Sequence, residues 1–407
     1  MKFTYRVAGP SDRENYIDFI NYVFSHAHEP SDFKSMLPKE YGDGRESHAV
    51  HFLALDAQER IRAAIALLPF SLHIAEHTLN CGFIGSVSVH PYARKEGHMK
   101  KLMAMADSWM RKKDIDLAVL GGLRQRYQYF GYTKGGLHIN YTVNTDNIRH
   151  ALKDVSANGF TVEEITDASD VRLTEIYAMH QLLPVRTDRQ PEQLFDILHS
   201  YGHRLYAAMK NGRFTGYFTA CENIIAELTV KNPADYKSIL KCRMQTETAG
   251  EITILVSPWD CALMRTLNGF AENITITSGE NYKVYNWSKT LPAFLTLKKL
   301  VSGRISDGCC HLCVDEKQLT LCCTNEKITV CEDNTATKTT PEHKNIGGNA
   351  SSTAAARNTS CVCETYTSLE LQEKIFAPSA LLRPAYIGNA PADWFPVPIS
   401  IPVADQF

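Results

Sequence analysis

The segment 85–102 holds the side chains and the backbone pattern best suited to bind an anion. A predicted strand ends at Val89, a short loop follows, and a helix is predicted to begin at His98. The unpaired N–H groups and the dipole of a helix N-terminus favour negative charge, and Gly97 removes a side chain where a phosphate must approach. Basic residues flank this loop: Arg94, Lys95, Lys100 and Lys101. The pattern predicts a pyrophosphate-binding loop; the alternative is an ordinary strand-to-helix turn with solvated basic residues.

A second motif spans residues 127–132 and reads Tyr-Gln-Tyr-Phe-Gly-Tyr. With the loop, it resembles the Gcn5-related N-acetyltransferases (GNAT), in which an Arg/Gln-x-x-Gly-x-Gly/Ala loop binds coenzyme A and a nearby tyrosine closes the acetyl-CoA site. Met99 departs from the last position of that loop pattern. The order of three units along the chain resembles the enhanced-intracellular-survival (Eis) family, whose members commonly tolerate a large residue there.

The Eis resemblance implies an α+β fold with α/β-type mixed sheets. Residues 1–150 are expected to form a catalytic GNAT domain, 151–284 a second, degenerate GNAT-like domain, and 285–407 a sterol-carrier-like domain. The resemblance also implies a homohexamer that uses acetyl-CoA as co-substrate and an amine as acceptor. Family members end in an aromatic residue whose carboxylate enters the active site, and this sequence ends in Asp405-Gln406-Phe407.

Acetyl transfer from a thioester to an amine needs a neutral amine, a polarised carbonyl group and a proton for the leaving thiolate. A phenol has a pKa of about 10 and a thiol one of about 8.5, so Tyr127 can deliver that proton. We therefore predict that Tyr127 is the general acid. Aromatic packing is its alternative role and the expected role of Tyr129 and Tyr132.

The general base is less clearly marked in the sequence. The family resemblance offers the α-carboxylate of Phe407, whose ordinary pKa of about 3.5 requires partial desolvation or an intervening water molecule. The alternatives near the loop are His90 and His98, either of which also fits a solvated loop residue. A frayed terminus is the alternative for Phe407, and the prolines that precede it argue against fraying: Pro396, Pro398 and Pro402.

The predicted acetyl-CoA contacts lie on the end of the strand, the loop, the helix start and the connection after the next strand. Free backbone groups at the strand end can pair with the pantetheine arm and stabilise the carbonyl oxygen. The predicted set is Val87, Ser88, Val89, Arg94, Lys95, Glu96, Gly97, His98, Met99, Lys100, Gly122 and Leu123. No metal ligand is predicted.

Hydrophobic periodicity predicts the elements that position these residues. In the first unit we expect strands over 2–8, 51–55, 61–67, 70–75, 83–89 and 117–120 and a helix over 98–113. Another helix is expected near Ser11, capped by it together with Glu14. The second unit is predicted to contain strands 160–165, 205–210, 214–221, 226–230 and 251–256 with helices 171–183 and 236–242. The third is predicted to contain a helix over 291–301 and strands 308–314, 318–323 and 327–331.

Length and composition limit the number of domains, the class of partner and the expected location. The 407 residues suggest two or three domains, and a net charge of −2 argues against nucleic acid or an anionic membrane as the organising partner. The sequence lacks a signal-peptide pattern and an apolar run long enough to span a bilayer, so a cytoplasmic location is expected. Residues 333–358 are rich in small polar residues, and we expect a flexible excursion there.

Eight of the twelve cysteines lie between Cys309 and Cys363. Without a secretion signal, disulfides are the less expected arrangement. A zinc site built on Cys310, Cys313 and the Cys322-Cys323 pair is one interpretation. Burial as small apolar residues of short strands is the favoured one.

We therefore predict an acetyl-CoA-dependent N-acetyltransferase that acts on an amine of a small molecule, aminoglycoside-like or a polyamine, or on a protein lysine. The alternative is a non-catalytic acyl-CoA or lipid-binding protein, which would need neither Tyr127 nor Phe407. A polycationic acceptor would favour an acidic pocket, for which the region after the first helix offers Glu29, Asp32, Glu40, Asp43 and Glu46. The neutral residue Gln406 weakens the aminoglycoside alternative, because an acid there would attract a cationic acceptor.

Overall fold

The computed structural model describes residues 2–27, 30–245, 250–333, 363–377 and 386–407. Glu29 and, beyond Asp333, the predicted excursion at 333–358 lie outside the described residues.

Nineteen strands occur in the described residues. They are β1 Thr4–Val7, β2 Val50–Leu55, β3 Ile61–Ile74, β4 His77–Val89, β5 Leu117–Leu120, β6 Thr133–Lys134, β7 His138–Asn144, β8 Phe160–Ile165, β9 Val185–Thr187, β10 Arg204–Lys210, β11 Arg213–Cys221, β12 Ile224–Val230, β13 Glu251–Val256, β14 Asn273–Thr277, β15 Asn281–Val284, β16 Gly308–Val314, β17 Lys317–Thr324, β18 Lys327–Asp333 and β19 Glu364–Tyr366.

The α-helices of the same residues alternate with these strands. They are α1 Arg13–Ala27, α2 Phe33–Met36, α3 Pro38–Tyr41, α4 His98–Lys112, α5 Arg124–Tyr127, α6 Thr145–Ala151, α7 Arg172–Gln181, α8 Leu194–Leu198, α9 Tyr236–Gln245, α10 Cys261–Asn268, α11 Trp287–Ser302 and α12 Ser368–Phe376. None of the helices in the described ranges is long and apolar enough to cross a bilayer.

Three sheets organise the chain, and strands are exchanged between its parts. The first sheet has the order β1-β2-β3-β4-β5-β15-β6, with β9 on β3; the second has the order β14-β7-β13-β12-β11-β10-β8; the third has the order β18-β17-β16-β19. The sheets do not follow the predicted boundaries at 150 and 284, because β7 joins the second sheet whereas β9 and β15 join the first. Non-local pairing of short strands leaves no local signal, so periodicity could not reveal this exchange.

Helix α4 covers one face of the first sheet, where Leu102, Met103 and Ala106 pack with Ile84 and Leu120. The opposite face is covered by α1, α11 and the C-terminal segment, which share a larger apolar core with Phe83 and Val119. The first sheet is therefore buried on both faces around its central strands, as their continuous apolar runs require.

Two local predictions differ from the structure. Strand β3 runs unbroken through Pro69, which pairs with Gly82 of β4. On its other side β3 pairs with β2 only up to Leu67 and with β9 only from Leu72, so the proline occupies a stretch with one strand partner.

The first helix also starts differently from the prediction. A 3₁₀ turn over Pro10–Asp12 precedes α1, and the carboxylate of Asp12 accepts a hydrogen bond from the Gly9 backbone N–H. Ser11 is therefore not the cap of this helix.

The third sheet corrects the prediction about disulfides. Cys309 and Cys322 lie directly opposite each other on β16 and β17 and form a disulfide. Cys310 and Cys323 are buried in the apolar core, as the favoured interpretation holds, whereas Cys313 is half-buried and Cys331 is exposed. Within the described residues, no three His, Cys, Asp or Glu side chains are grouped to hold a metal ion.

The C-terminal segment is fastened to the second unit by buried charges. The Arg189 guanidinium donates to both carboxylate oxygens of Asp405 at 2.8 and 2.9 Å and to those of Glu227 at 3.0 and 2.8 Å. Burial alone would raise the pKa of Asp405, but Arg189 lowers it to about 2. The stability contributed by Asp405 is therefore present above its unfolded pKa of about 4 and is lost as pH falls through about 2.

We expect Arg189→Leu to lower the free energy of unfolding by about 3–5 kcal/mol, because two buried carboxylates lose their partner. Chemical denaturation at neutral pH measures this change. The matched control is Arg149→Leu, which removes an exposed arginine paired with Asp146 and should cost about 0–1 kcal/mol. Equal effects of the two substitutions would show that the buried ion pairs do not hold the tail.

Candidate active site

A cleft opens in the first sheet where β4 and β5 separate. Their parallel pairing ends at Ile84 and Leu120. Beyond this point β4 pairs with β3 alone among the described strands, and a bulge places Ser86 at a φ of 50°. Within the described residues, the backbone groups of 86–89 that face away from β3 have no strand partner and can bind an extended ligand. We call this opening the β4–β5 fork.

The predicted anion loop follows the open part of β4. Gly97 precedes α4 with a φ of 84°, and the first turn of the helix has no side-chain cap. A Cβ atom at Gly97 would meet no atom within 4 Å, so the space in front of this helix start is open. Arg94 and Lys95 are exposed, and the Lys100 ammonium lies 5.0 Å from the centre of the Tyr129 ring. The helix N-terminus and these cations form a site suited to a pyrophosphate.

Three residues predicted to contact acetyl-CoA make contacts within the protein: Glu96, His98 and Met99. His98 is 1% exposed; its Nδ1 contacts the Tyr5 hydroxyl at 2.9 Å and its Nε2 contacts the Glu96 carboxylate at 3.0 Å. Its side chain ties the loop to β1 and cannot serve as the base. Met99 is half-buried against the core on the α4 side. A large residue therefore fits at this position, since its side chain packs on the sheet.

His90, the other alternative base, caps the turn that follows β4. Its Nδ1 accepts the Tyr92 backbone N–H at 3.3 Å, and its ring stacks on Tyr22 with 5.3 Å between centres. Burial and the nearby Arg62 lower the pKa of His90. The ring is thus a neutral packing group at neutral pH.

Tyr127 lies just beyond the end of β5, on the α4 side of the sheet. A Cβ atom at Gly122, whose φ is 113°, would come within 2.8 Å of the Tyr127 ring, so a glycine is required there. The Asn281 amide donates to the carbonyl oxygens of Leu120 and Gly122 at 3.3 and 3.0 Å and fixes this connection. Burial raises the pKa of Tyr127, with Arg126 opposing the shift, so the hydroxyl keeps its proton at neutral pH.

Phe407 reaches the same fork from the opposite face. A Cβ atom at Gly85 would lie 2.6 Å from the Phe407 carbonyl oxygen and 2.7 Å from its ring. The ring is buried in the core shared with α1, and its centre is 6.1 Å from that of Tyr41. The sequence-predicted Tyr127 and Phe407 therefore flank one opening in the sheet, from its two faces.

The acidic residues considered for a cationic acceptor are used locally. Asp32 accepts from the Lys34 backbone N–H and the Ser35 hydroxyl. Glu40 is buried and accepts from Ser47 and from two backbone N–H groups. Asp43 is paired with Lys34, and Glu46 is exposed at the surface. These contacts do not build an acidic pocket beside Phe407.

The other tyrosines of the second motif differ in exposure. Tyr129 is 68% exposed and Tyr132 is buried beside α4. The predicted contact Leu123 is 64% exposed and follows the glycines after β5, at the mouth of the fork.

Sequence reasoning missed several residues that shape the site. Gly85 and Ser86 form the bulge, and an isolated glycine inside a predicted strand is a weak signal for such an irregularity. Asn281 comes from β15, far along the chain from the motifs, and carries no local signal of its role.

The comparisons with known proteins bear on the domain and the fold. The family model described as an acetyltransferase (GNAT) domain matches residues 4–135. A search of curated proteins finds no match. A GCN5-related N-acetyltransferase from Anabaena variabilis shares 16% identity over 100% of both chains with a TM-score of 0.64. Eis1 from Mycobacterium abscessus shares 12% identity over 100% of both chains, with a TM-score of 0.62.

A probable N-acyltransferase from Enterococcus faecalis is also similar, with 14% identity, a TM-score of 0.61, and coverage of 83% of this chain and 86% of that chain. At such identities the likeness establishes the fold, and the predicted α+β fold with mixed sheets is confirmed. The domain match adds the chemistry: residues 4–135 form a GNAT domain, and the chain is an acetyltransferase.

Proposed function

We propose that the chain transfers the acetyl group of acetyl-CoA to a primary amine at the β4–β5 fork. The observation that carries the proposal is the placement of Phe407 against Gly85 of β4 and of Tyr127 against Gly122 after β5, on opposite faces of the sheet at this opening. A protein that only bound acyl-CoA or lipid would need the anion loop but neither of these groups. The open edge of residues 86–89 and the uncapped start of α4 suit the pantetheine arm and the pyrophosphate of acetyl-CoA.

In the proposed reaction the amine nitrogen attacks the thioester carbonyl carbon. Backbone N–H groups on the free edge of β4 stabilise the oxyanion of the tetrahedral intermediate. The Phe407 carboxylate accepts a proton from the amine, directly or through water. The C–S bond then breaks, and the Tyr127 hydroxyl donates its proton to the coenzyme A thiolate. The raised pKa of Tyr127 keeps this proton in place until the thiolate forms.

The placement of the two groups on opposite faces of the sheet indicates the side from which the acceptor amine enters. Tyr127 lies on the α4 side and Phe407 on the α1 side, so we propose that the amine enters from the side of α1 and α3. The acceptor remains a small-molecule amine or a protein lysine. The local use of Asp32, Glu40 and Asp43 favours an acceptor without a high positive charge.

The remaining predictions concern the chain as a whole. We propose that the part around the third sheet is the sterol-carrier-like unit and that it delivers the tail to the fork. The division at 1–150, 151–284 and 285–407, the homohexamer and the cytoplasmic location stay predictions from the resemblance and the sequence.

We expect Gly97→Glu to abolish acetyl-CoA binding measured by calorimetry, because it places a negative charge where the pyrophosphate must lie. The matched control is Gly44→Glu, since Gly44 also has positive φ and open space around its Cβ position. The control shares the backbone strain but should bind acetyl-CoA normally. Unchanged affinity of Gly97→Glu would place the cofactor elsewhere.

We expect Tyr127→Phe to lower kcat by about 10²–10⁴ with acetyl-CoA affinity retained, because the ring stays and only the proton is lost. Thiol release from acetyl-CoA with a panel of amines measures the rate. Tyr129→Phe, which removes an exposed hydroxyl from the same motif, should change kcat little. If both variants behave alike, Tyr127 has no special role in proton transfer.

We expect a peptide extension after Phe407 to lower turnover by about 10² or more, because it converts the carboxylate into a neutral amide and adds bulk beside Gly85. Acetyl-CoA binding should persist, since the anion loop is a separate segment. The same peptide fused before Met1 is the control. Full turnover of the extended protein with the same amine would exclude the carboxylate as the base.

A further inference from the structure

Lys39 is a buried cation that the proposed reaction does not use. It lies in α3 and is 4% exposed. Its ammonium donates hydrogen bonds of 2.6 Å to the carbonyl oxygens of Ala404 and Gln406. Burial lowers the pKa of Lys39 to about 8. Because enclosing a charge is unfavourable, its role in the fold needs an explanation.

The neighbouring charges do not provide an ion pair for Lys39. Glu40 is bonded to Ser47 and to backbone N–H groups, and Asp405 is bonded to Arg189. In the described part of the chain, Lys39 forms no salt bridge within 4.0 Å. Its ammonium is therefore directed at main-chain carbonyl groups of the tail.

The two carbonyl groups sit at the last bend of the chain. Residues Val403–Asp405 form a 3₁₀ turn, and Gln406 then returns to an extended conformation. The carbonyl of Gln406 belongs to the peptide unit that leads directly to Phe407, and this unit is planar. A donor that fixes this oxygen therefore fixes the position from which the Phe407 carboxyl group projects.

Two other contacts of the last turn act through side chains. Arg189 holds the carboxylate of Asp405, and the Gln406 amide donates to Glu280 at 2.9 Å. Lys39 instead contacts the main chain one residue before Phe407, from an element of the first unit.

From this geometry we infer that Lys39 is a positioning residue that holds the main chain of Gln406, and with it the Phe407 carboxylate, against Gly85 of the fork. The inference rests on the proposed function, in which that carboxylate is the base. A misplacement of about 1 Å at a reacting group costs about 10²-fold in rate, so loss of this contact should be visible in turnover.

The first test compares Lys39→Met with Lys34→Met. Methionine keeps most of the apolar stem and removes the charge and the donors, and Lys34 is a lysine of the neighbouring helix α2 that pairs with Glu14 and Asp43 at the surface. We expect Lys39→Met to lower kcat by about 10- to 100-fold with unchanged acetyl-CoA affinity and a similar thermal transition. Lys34→Met should retain full kcat. Wild-type kcat of Lys39→Met would overturn the inference.

A second pair covers the case in which Lys39→Met unfolds. Arginine keeps the charge and can donate to two carbonyl groups, whereas glutamine keeps a donor without the charge. We expect Lys39→Arg to retain more kcat than Lys39→Gln when both are assayed well below their thermal transitions. Equal kcat values would show that neither the charge nor the paired donors of Lys39 contribute.

The decisive experiment combines Lys39→Met with the peptide extension after Phe407. If Lys39 acts through the carboxylate, the substitution should change the residual turnover of the extended protein less than about twofold, because coupled residues are not additive. A full additional loss would show that Lys39 acts elsewhere and would overturn the inference. An extension that leaves turnover intact rejects the proposed base, whereas an active Lys39→Met variant beside an inactive extended protein rejects only the inference about Lys39.

Discussion

The close approach of Phe407 to Gly85 is the constraint on which the site depends. Any side chain at position 85 would overlap the Phe407 backbone and ring, because even a Cβ atom would lie 2.6–2.8 Å from them. The adjoining bulge at Ser86 follows at the point where β4 leaves β5. One glycine thus allows the C-terminal segment to enter a central strand region that would otherwise be closed by packing.

Contacts from two parts of the chain hold residues 404–407 at this point. Arg189 and Glu227 of the second unit enclose Asp405, and Lys39 of the first unit binds the main chain of the tail. Glu280, beside the inserted strand β15, accepts from Gln406. These contacts come from segments that are distant along the chain, so the position of Phe407 depends on the tertiary structure.

The sequence predicted the features that depend on neighbouring residues and missed those that depend on which distant segments pair. Strands β5, β8 and β13 and the start of α4 agree with the predicted ranges, since hydrophobic period and a glycine before a helix are short-range signals. The fork, the exchange of β7 and β15, and the Cys309–Cys322 pair depend on which strands become neighbours. Lys39 shows the limit most clearly, because a lysine followed by a glutamate in a short helix normally indicates a solvated surface, and both are buried here.

The placement of Tyr127 and Phe407 on opposite faces has a chemical consequence for the proposed reaction. A phenol and a carboxylate in direct contact would share a proton, and each would then be a poorer acid or base. The sheet keeps Tyr127 and Phe407 in separate cores. Burial among apolar residues raises the pKa of Tyr127, so the phenol on the α4 side stays protonated. On the other side, Lys39 donates to the main-chain carbonyl oxygen of Gln406, next to the residue that carries the carboxylate. In the proposed reaction the carboxylate serves the attacking amine and the phenol serves the leaving sulfur, so the acetyl group that moves from one atom to the other couples the two proton transfers.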